Sequence, residues 1–182
     1  MRRDAARVRD LQARGAAVRA RDDRHRDGGA GGSGGSAAAG GAPVRGLSHV
    51  AIAVRKAEPL AALLVAALGA TRGAEELLDG GALRVLFVHL GPVTLELLEP
   101  RSPEHTVAKF LEKRGEGLHH VSLEVADIDA ALARCRASGV APIDETPRPG
   151  AHGTQVAFLH PKGLGGVLVE LCQARGSGTT SG

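Results

Sequence analysis

Two stretches of the chain show the same alternation of apolar and polar residues. GLSHVAIAV begins at Gly46, and GLHHVSLEV begins at Gly117. In each stretch apolar residues occupy every second position, and the intervening set contains a histidine, His49 in the first copy and His120 in the second. A period of two residues predicts β-strands that present one apolar face and one histidine-bearing face.

A shorter pattern follows each of these strands at nearly the same distance. Glu96, within the apolar run LEL, lies 47 residues after His49, and Glu170, within VEL, lies 50 residues after His120. The repeat of both patterns indicates a duplicated module. This duplication predicts that two histidines and two glutamates converge on one place.

The segments between the repeated strands predict the same order of elements in each half. Residues 59–68, rich in Ala and Leu, predict a helix that begins near Pro59, is apolar on most sides and must be covered. Asp127 predicts the N-cap of the equivalent helix, which ends near Ser138. The other predicted elements are strands at 70–78, 83–90, 93–98, 154–159 and 166–172, a weak strand at 140–145 interrupted by Pro142, and a connecting helix at 106–114.

This order predicts an α+β fold of two tandem βαβββ modules, residues 46–100 and 117–174, joined by residues 101–116. Each module is too small to close its own core, so we expect the two to pair as one curled mixed sheet around a metal-binding cavity. Residues 1–45 are rich in Arg, Gly and Ala and predict a disordered tail and linker. Residues 175–182 predict a mobile C-terminal end.

Charge and composition exclude several classes of function. Residues 1–46 contain ten Arg and five Asp, a charge of +5, whereas the rest of the chain carries −2. The three Phe are the only aromatic residues, so the folded part offers neither positive charge nor stacking surfaces for nucleic acid. Two cysteines fit a reducing compartment, and no apolar run approaches the roughly 20 residues that span a bilayer. We expect a soluble protein without nucleic-acid or membrane partners.

The repeated residues suit a divalent metal ion. Two imidazoles and two carboxylates, with no thiolate, favour Co²⁺, Ni²⁺, Zn²⁺, Mn²⁺ or Fe²⁺, and four protein ligands leave octahedral positions for two oxygens of a substrate. Each residue alone is more often structural, and their equivalent positions in the repeat are what favour a metal site. The predicted ligands are His49, Glu96, His120 and Glu170.

Strand phase separates the predicted ligands from their neighbours. His119 alternates with the apolar set, so we expect it to be structural or to contact a ligand rather than to bind the ion. Glu124 shares the phase of His120 but lies four residues farther along, which predicts exposure to solvent. Cys172 shares a face with Glu170, either in the cavity wall or as a small buried residue.

The motifs resemble a known family. LSHVAIAV, VTLELLEP, GEGLHHVSLEV and above all GAHGTQVAFLHPKGLGGVLVEL, from Gly150 to Leu171, are similar to the vicinal oxygen chelate (glyoxalase/bleomycin resistance) superfamily. The finer motifs resemble its methylmalonyl-CoA epimerases in particular. The resemblance covers nearly all of residues 46–174.

The resemblance implies a reaction and a site. It implies interconversion of (2R)- and (2S)-methylmalonyl-CoA, a divalent ion that is most often Co²⁺, and a homodimer that binds a CoA thioester. The ligands carry over to the four residues named above. Glu170, at the edge of the metal site, is the best candidate for a catalytic base. The loop that contains Gly150, His152 and Gly153 is either a substrate contact or a simple connecting turn.

The chain departs from parts of the family at two positions. Some members have Gln where this chain has Glu96, and the extra negative charge should weaken the pull of the ion on an enolate. Some members also carry a second Glu on the third strand of the first module, where this chain reads ALRVL from Ala82. The second base is therefore unidentified, with Glu75, Glu76 or a bound water as candidates.

Three other functions compete with this one. A glyoxalase I-type lyase shares the metal, but the FLHPK and GVLVEL segments favour the epimerase. An extradiol dioxygenase needs three protein ligands to iron rather than four. A metal-free binding protein of the same fold usually lines its cavity with aromatic residues, which are scarce here. The predicted compartment is the cytoplasm for a bacterial source and the mitochondrial matrix for a eukaryotic one, because the Arg-rich start, which also contains Asp, is an ambiguous transit peptide.

Overall fold

The computed structural model describes residues 44–174. The predictions of a disordered N-terminal tail and a mobile C-terminal end concern residues that lie outside this range, apart from residues 44 and 45, which belong to the first strand. Within the described range, no helix is long and apolar enough to cross a membrane.

The elements repeat in order, and this repeat confirms the predicted βαβββ duplication. The first half contains β1 (Val44–Ala53), α1 (Ala57–Leu68), β2 (Thr71–Leu78), β3 (Leu83–Leu90) and β4 (Val93–Pro100). Helix α2 (Thr106–Arg114) connects the halves. The second half contains β5 (Gly117–Val125), α3 (Ile128–Ala137), β6 (Arg148–Pro149), β7 (Gln155–Leu159) and β8 (Val169–Gln173). Short 3-10 turns occupy Asp79–Gly81, Ala151–Gly153 and Pro161–Gly163.

The described strands form a mixed eight-stranded sheet in the order β2-β3-β4-β1-β5-β8-β7-β6. β1 and β5 pair antiparallel at its centre. On its other side β1 pairs parallel with β4, and β5 likewise pairs parallel with β8. The outer neighbouring strands pair antiparallel. The two halves of the sheet therefore mirror each other in order and direction, with the histidine-bearing strands side by side.

Helices cover the sheet on both faces of the first half. Ala57 and Ala61 of α1 pack in one buried cluster with Leu86 and Leu97, on the face that carries the apolar set of β1. Val107 and Leu111 of α2 pack in a second cluster, with Ala51, Ala53, Val85 and Phe87, on the face that carries His49. In the second half, α3 packs through Ile128 and Leu132.

A buried glutamate from β4, Glu99, binds the N-terminus of helix α1. Lys56 occupies the N-cap position without a capping side chain, and the carboxylate of Glu99 instead accepts a hydrogen bond from the backbone N–H of Ala57 at 2.9 Å. Burial alone would raise the pKa of Glu99, but the Ala57 N–H and the cations of Lys56 and Arg84 outweigh it and hold the pKa below its ordinary value. Since the helix begins at Ala57, Pro59 is its third residue and lies within the first turn.

Two predictions about local structure are wrong. Residues 140–145 form no strand, since Pro142 has no N–H to donate and makes only an isolated bridge to Leu159. The strand at the edge of the sheet is instead Arg148–Pro149, inside the predicted loop, where Arg148 pairs with Val156. Helix α1, which the sequence predicts to be covered, has Leu63 and Leu68 60% and 64% exposed in the single chain.

Candidate metal centre and active-site cavity

The sheet register brings the four predicted ligands together. Ala51, two residues after His49, lies opposite Glu96, and Ser122, two residues after His120, lies opposite Glu170. Each half therefore contributes one histidine and one glutamate from adjacent parallel strands. The central β1–β5 pair joins the two sets.

The side-chain nitrogen and oxygen atoms of these four residues meet in a buried cluster. Nε2 of His49 lies 3.2 Å from Nε2 of His120, and one donor atom from each of His49, Glu96 and His120 lies within 4.8 Å of the others. The carboxylate of Glu170 lies 3.3 Å from Nε2 of His49 and 3.8 Å from Nε2 of His120. Oε1 of Glu96 lies 3.4 Å from Nδ1 of His49. All four residues are buried.

Burial shifts the pKa of each of the four residues in the direction that favours its neutral form. It lowers the pKa of His49 to about 4 and that of His120 to about 2. It raises the pKa of Glu96 to about 8, with help from the negative charges of Glu170 and Glu76. It also raises the pKa of Glu170 to about 7, although a hydrogen bond from Ser122 and the charge of Arg148 act in the opposite direction.

These pKa shifts indicate a site that a bound cation would stabilise. The neutral imidazoles have lone pairs available, and the two carboxyls are costly to ionise in each other's presence without a positive charge. A divalent ion at this place would accept the lone pairs of the imidazoles and offset the charges of both carboxylates. The set of two nitrogens and two oxygens fits the borderline first-row ions that the sequence predicts.

His119 contacts His120, a predicted ligand, and this is one of the two roles that its strand phase predicts. The β1–β5 register shifts so that Ala51 pairs with His120 and Ile52 pairs with Leu118, which leaves His119 as an extra residue. Such a bulge turns the side chain toward its neighbour. Nδ1 of His119 lies 2.9 Å from Nδ1 of His120, and its ring contacts Phe110 at 4.9 Å.

The cluster opens into a cavity of about 640 Å³ that both halves line. Its apolar wall includes Leu83, Phe87, Leu98 and Val156, and Cys172 lies in the wall beside Glu170. Glu124 is partly exposed and pairs with Arg45 at 3.8 Å. The cavity has room for an acyl group and part of a longer chain.

Comparison with known proteins identifies the family. The profile of the Glyoxalase/Bleomycin resistance protein/Dioxygenase superfamily matches residues 48–158. The mitochondrial methylmalonyl-CoA epimerase of Homo sapiens is 43% identical over 129 residues, which are 70% of this chain and 73% of that protein. The chain belongs to the methylmalonyl-CoA epimerase family. The predicted resemblance is thereby confirmed, and so is the predicted fold.

Two further relatives extend the comparison. The ethylmalonyl-CoA/methylmalonyl-CoA epimerase of Cereibacter sphaeroides is 43% identical over 129 residues, 70% of this chain and 96% of that protein. A variant of the Streptomyces coelicolor methylmalonyl-CoA epimerase, solved in complex with 2-nitronate-propionyl-CoA, matches with a TM-score of 0.67 and 31% identity. That match covers 72% of this chain and 99% of the solved chain. The epimerase relatives thus include mitochondrial and bacterial proteins.

The loop of the long epimerase-like motif forms part of the cavity lining. Gly150 and His152 are among the described residues that line it, and Gly153 is not. The His152 ring lies 4.1 Å from that of Phe87, and its Nδ1 lies 2.6 Å from Oε1 of Glu76 on β2. Gly150 has a steric role of its own, because a Cβ there would lie 2.7 Å from Oγ1 of Thr154.

Sequence reasoning missed a carboxylate in the cavity wall. Asp79 lines the cavity, adopts a positive φ of 51°, and pairs through Oδ2 with Nε2 of His105 at 2.9 Å. A non-glycine residue in this conformation marks local strain, which often occurs at functional sites. Of the predicted candidates for a second base, Glu75 pairs with Arg84 outside the cavity and Glu76 binds the loop.

The signal for Asp79 was present but ambiguous. It begins the sequence Asp79-Gly80-Gly81, which also predicts an ordinary turn. His105 fixes its position from the other side, because Nδ1 of His105 accepts a hydrogen bond from the N–H of Val107 at 3.2 Å. That bond leaves the proton on Nε2, the nitrogen that faces Asp79.

Proposed function

We propose that the protein is a metal-dependent epimerase that interconverts (2R)- and (2S)-methylmalonyl-CoA by removing and returning the proton at C2. The observation that carries the proposal is the convergence of His49, Glu96, His120 and Glu170 in a buried cluster, in a chain of the methylmalonyl-CoA epimerase family. Relatives named for this substrate, and a solved relative that holds a CoA thioester analogue, support the choice of substrate.

The four clustered residues would hold the ion. When bound there, a divalent metal supplies a Lewis acid that acidifies the C2 proton of a 2-carboxyacyl thioester. The donor set of two imidazoles and two carboxylates suits several first-row divalent ions. The family resemblance implies Co²⁺, and Ni²⁺, Mn²⁺ and Zn²⁺ are alternatives to be separated by reconstitution. Ser122 orients Glu170 through a 2.8 Å hydrogen bond from its hydroxyl.

Glu170 is the proposed acid–base group on one face of the substrate. Burial raises the pKa of Glu170 while no ion is bound. A bound cation would lower that pKa again and so keep Glu170 in the ionised form that accepts a proton. Because the residue is buried beside apolar cavity walls, bulk water does not compete for the transferred proton.

Asp79 is the proposed acid–base group for the opposite face. Inversion at C2 requires proton removal from one side and return from the other, so a single carboxylate is insufficient. Glu170 belongs to the second half of the fold and Asp79 to the first, yet both line the same cavity. His105 donates a hydrogen bond to Asp79 and so fixes the position of its carboxylate.

The test is an isotope experiment on the purified, Co²⁺-loaded protein. Incubation with (2S)-methylmalonyl-CoA in D₂O should give C2 deuteration together with conversion to the other epimer. Formation of lactoylglutathione from the hemithioacetal, ring cleavage of a catechol, or binding without turnover would instead support the lyase, the dioxygenase or the binding protein.

One pair of variants separates the two acid–base groups. Asp79→Asn should reduce epimerisation by about 100-fold or more, yet retain C2 exchange with solvent for one of the two epimers. Glu75→Gln is the matched control, because Glu75 lies close in sequence but pairs with Arg84 outside the cavity. Equal activity of Asp79→Asn and wild type would remove Asp79 from the mechanism.

We also propose that the protein is a homodimer. Leu63, Val65 and Leu68 leave large apolar side chains of α1 exposed in the single chain, and exposed apolar patches commonly mark contact surfaces. Light scattering should give the mass of a dimer, and Leu63→Glu combined with Leu68→Glu should give that of a monomer if α1 forms the interface.

A further inference from the structure

The described sheet ends at two edge strands, β2 on one side and β6 on the other. The curl of the sheet brings these two edges together, because Glu76 of β2 binds His152 in the 3-10 turn that follows β6. The two halves of the fold are therefore joined along the central β1–β5 pair and again at this contact between their outermost segments.

One carboxylate binds two donors of His152. The backbone N–H of His152 donates to the carboxylate of Glu76, with 3.2 and 3.1 Å from its nitrogen to the two oxygens, and Nδ1 of the same residue lies 2.6 Å from Oε1. Since an ionised carboxylate only accepts hydrogen bonds, Nδ1 carries a proton and donates it. The His152 ring also packs on the ring of Phe87, with 4.1 Å between their centres. Charge-assisted hydrogen bonds are stronger than neutral ones, so this contact holds the turn against β2.

The contact belongs to the part of the cavity wall that faces solvent. Leu77 and Leu78, which follow Glu76 on β2, line the cavity, and so do Ala151 and His152 of the turn. The side chain of His152 is 54% exposed, so it lies between the cavity and solvent. If the contact breaks, the wall opens at this place between the two halves.

Both sides of the contact have few hydrogen bonds to the rest of the sheet. The two residues of β6 pair with β7, and Pro149 has no N–H to contribute. The β2–β3 register shifts between Arg72 and Glu75, which interrupts the ladder just before Glu76. His152 has a positive φ of 52°, which a non-glycine residue keeps only where its surroundings hold it. Segments with so few ladder hydrogen bonds open locally at a low cost in free energy.

We infer that Glu76 and His152 form a latch that closes the cavity, and that its opening limits the exchange of molecules between the cavity and solvent. Each half of the fold supplies one member of the latch, and neither member belongs to the clustered residues. The inference does not depend on which reaction the cavity supports. Loss of the latch should increase the open population while the buried cluster stays in place.

Cys172 is a natural reporter of this opening. It lines the cavity, is 5% exposed, and lies on β8, which only β7 separates from β6. The chain has one other cysteine, Cys135, and Cys135→Ser leaves a single thiol. In that background, the test measures the rate at which iodoacetamide alkylates Cys172 in the full-length, Co²⁺-loaded protein, followed by intact mass.

Three variants in this background test the latch. Glu76→Ala should accelerate alkylation by about 10- to 100-fold, because it removes the charge-assisted hydrogen bonds to His152. Glu76→Gln keeps an oxygen that accepts from the His152 N–H, so its rate should lie between those of wild type and Glu76→Ala. Glu75→Ala is the matched control, because Glu75 lies next to Glu76 but pairs with Arg72 and Arg84 outside the cavity, and its rate should equal that of wild type.

Urea separates opening of the latch from unfolding of the chain. Below the unfolding transition, an alkylation rate set by the latch should be almost independent of urea, whereas a rate set by unfolding rises with the slope of the global transition. Unchanged alkylation in Glu76→Ala, equal acceleration in Glu75→Ala, or a urea dependence that matches unfolding would each overturn the inference.

Two further outcomes identify other causes. Equal acceleration by Glu76→Ala and Glu76→Gln would assign the effect to the negative charge that Glu76 places near Glu96, and it would overturn the latch as well. A protein that shows the expected alkylation rates but does not epimerise methylmalonyl-CoA would contradict the proposed function and support the latch.

Discussion

Two adjacent histidines should differ in their effect on metal affinity. His120 is a predicted ligand, whereas His119 reaches the cluster only through the 2.9 Å contact between the two Nδ1 atoms. If His120 binds the ion through Nε2, its Nδ1 carries the proton and donates it to His119. The contact then orients the ligand and increases its basicity.

The structure sets the expected magnitudes. Loss of a hydrogen-bond partner behind a metal-binding histidine typically costs about 10- to 100-fold in affinity, so His119→Ala should bind Co²⁺ more weakly by that factor. The binding free energy of a four-ligand ion is about 10–16 kcal/mol, or about 2.5–4 kcal/mol per ligand, so His120→Ala should weaken binding by about 100- to 1000-fold. We therefore expect His120→Ala to bind about tenfold more weakly than His119→Ala.

Competition titrations against a chelator, on protein stripped of metal, would measure these constants. His89→Ala is a suitable control, because His89 lines the cavity and contacts Thr94 but lies outside the cluster. The melting temperature of each variant should be recorded, since His119 also packs on Phe110. Equal affinities for His119→Ala and His120→Ala, or a larger loss for His119→Ala, would refute the assignment of the ligand.

Three further predictions concern protons and packing. Because burial holds the pKa of Glu96 near 8 and that of Glu170 near 7 while the imidazoles stay neutral, Co²⁺ binding at pH 6 should release about two protons, and far fewer at pH 8.5, as measured by calorimetry in buffers of different ionisation enthalpy. Glu99→Gln should lower the free energy of unfolding by about 1 kcal/mol at pH 7. Since the pKa of Glu99 is lowered in the folded state, this loss should shrink as pH falls below the ordinary value of 4.5, which urea denaturation at pH 7 and pH 3 would show. Gly150→Ala should cost about 1–3 kcal/mol by thermal denaturation, because the new Cβ would lie 2.7 Å from two side-chain atoms, whereas Gly163→Ala, whose nearest contact would be 3.7 Å, should be nearly neutral.

The sequence was sufficient to predict the fold and to bring the four clustered residues together. Period-two alternation determines which side chains share a face, and the repeat of His49 and Glu96 as His120 and Glu170 determines which strands must be neighbours. Both patterns can be read from the sequence without any knowledge of tertiary contacts. The helix boundaries followed from capping residues and were accurate to within two residues.

The features that sequence reasoning missed all depend on tertiary pairing. The bulge that turns His119 toward the cluster is a property of the β1–β5 register and leaves no mark in the apolar pattern. The two-residue strand at Arg148 exists only because β7 lies beside it. Asp79 sits in a turn sequence whose functional value depends on His105, 26 residues away along the chain.

The division of the four ligands between the halves has a consequence for assembly. Either half by itself has one histidine and one glutamate of the cluster, so the proposed four-ligand site would form only while β1 and β5 are paired. A cation bound by all four residues would act as a reversible crosslink between the two halves, and its binding free energy would add to the stability of the β1–β5 pairing. Cleavage of the chain between the halves should therefore yield fragments that remain associated in cobalt and separate when a chelator withdraws it.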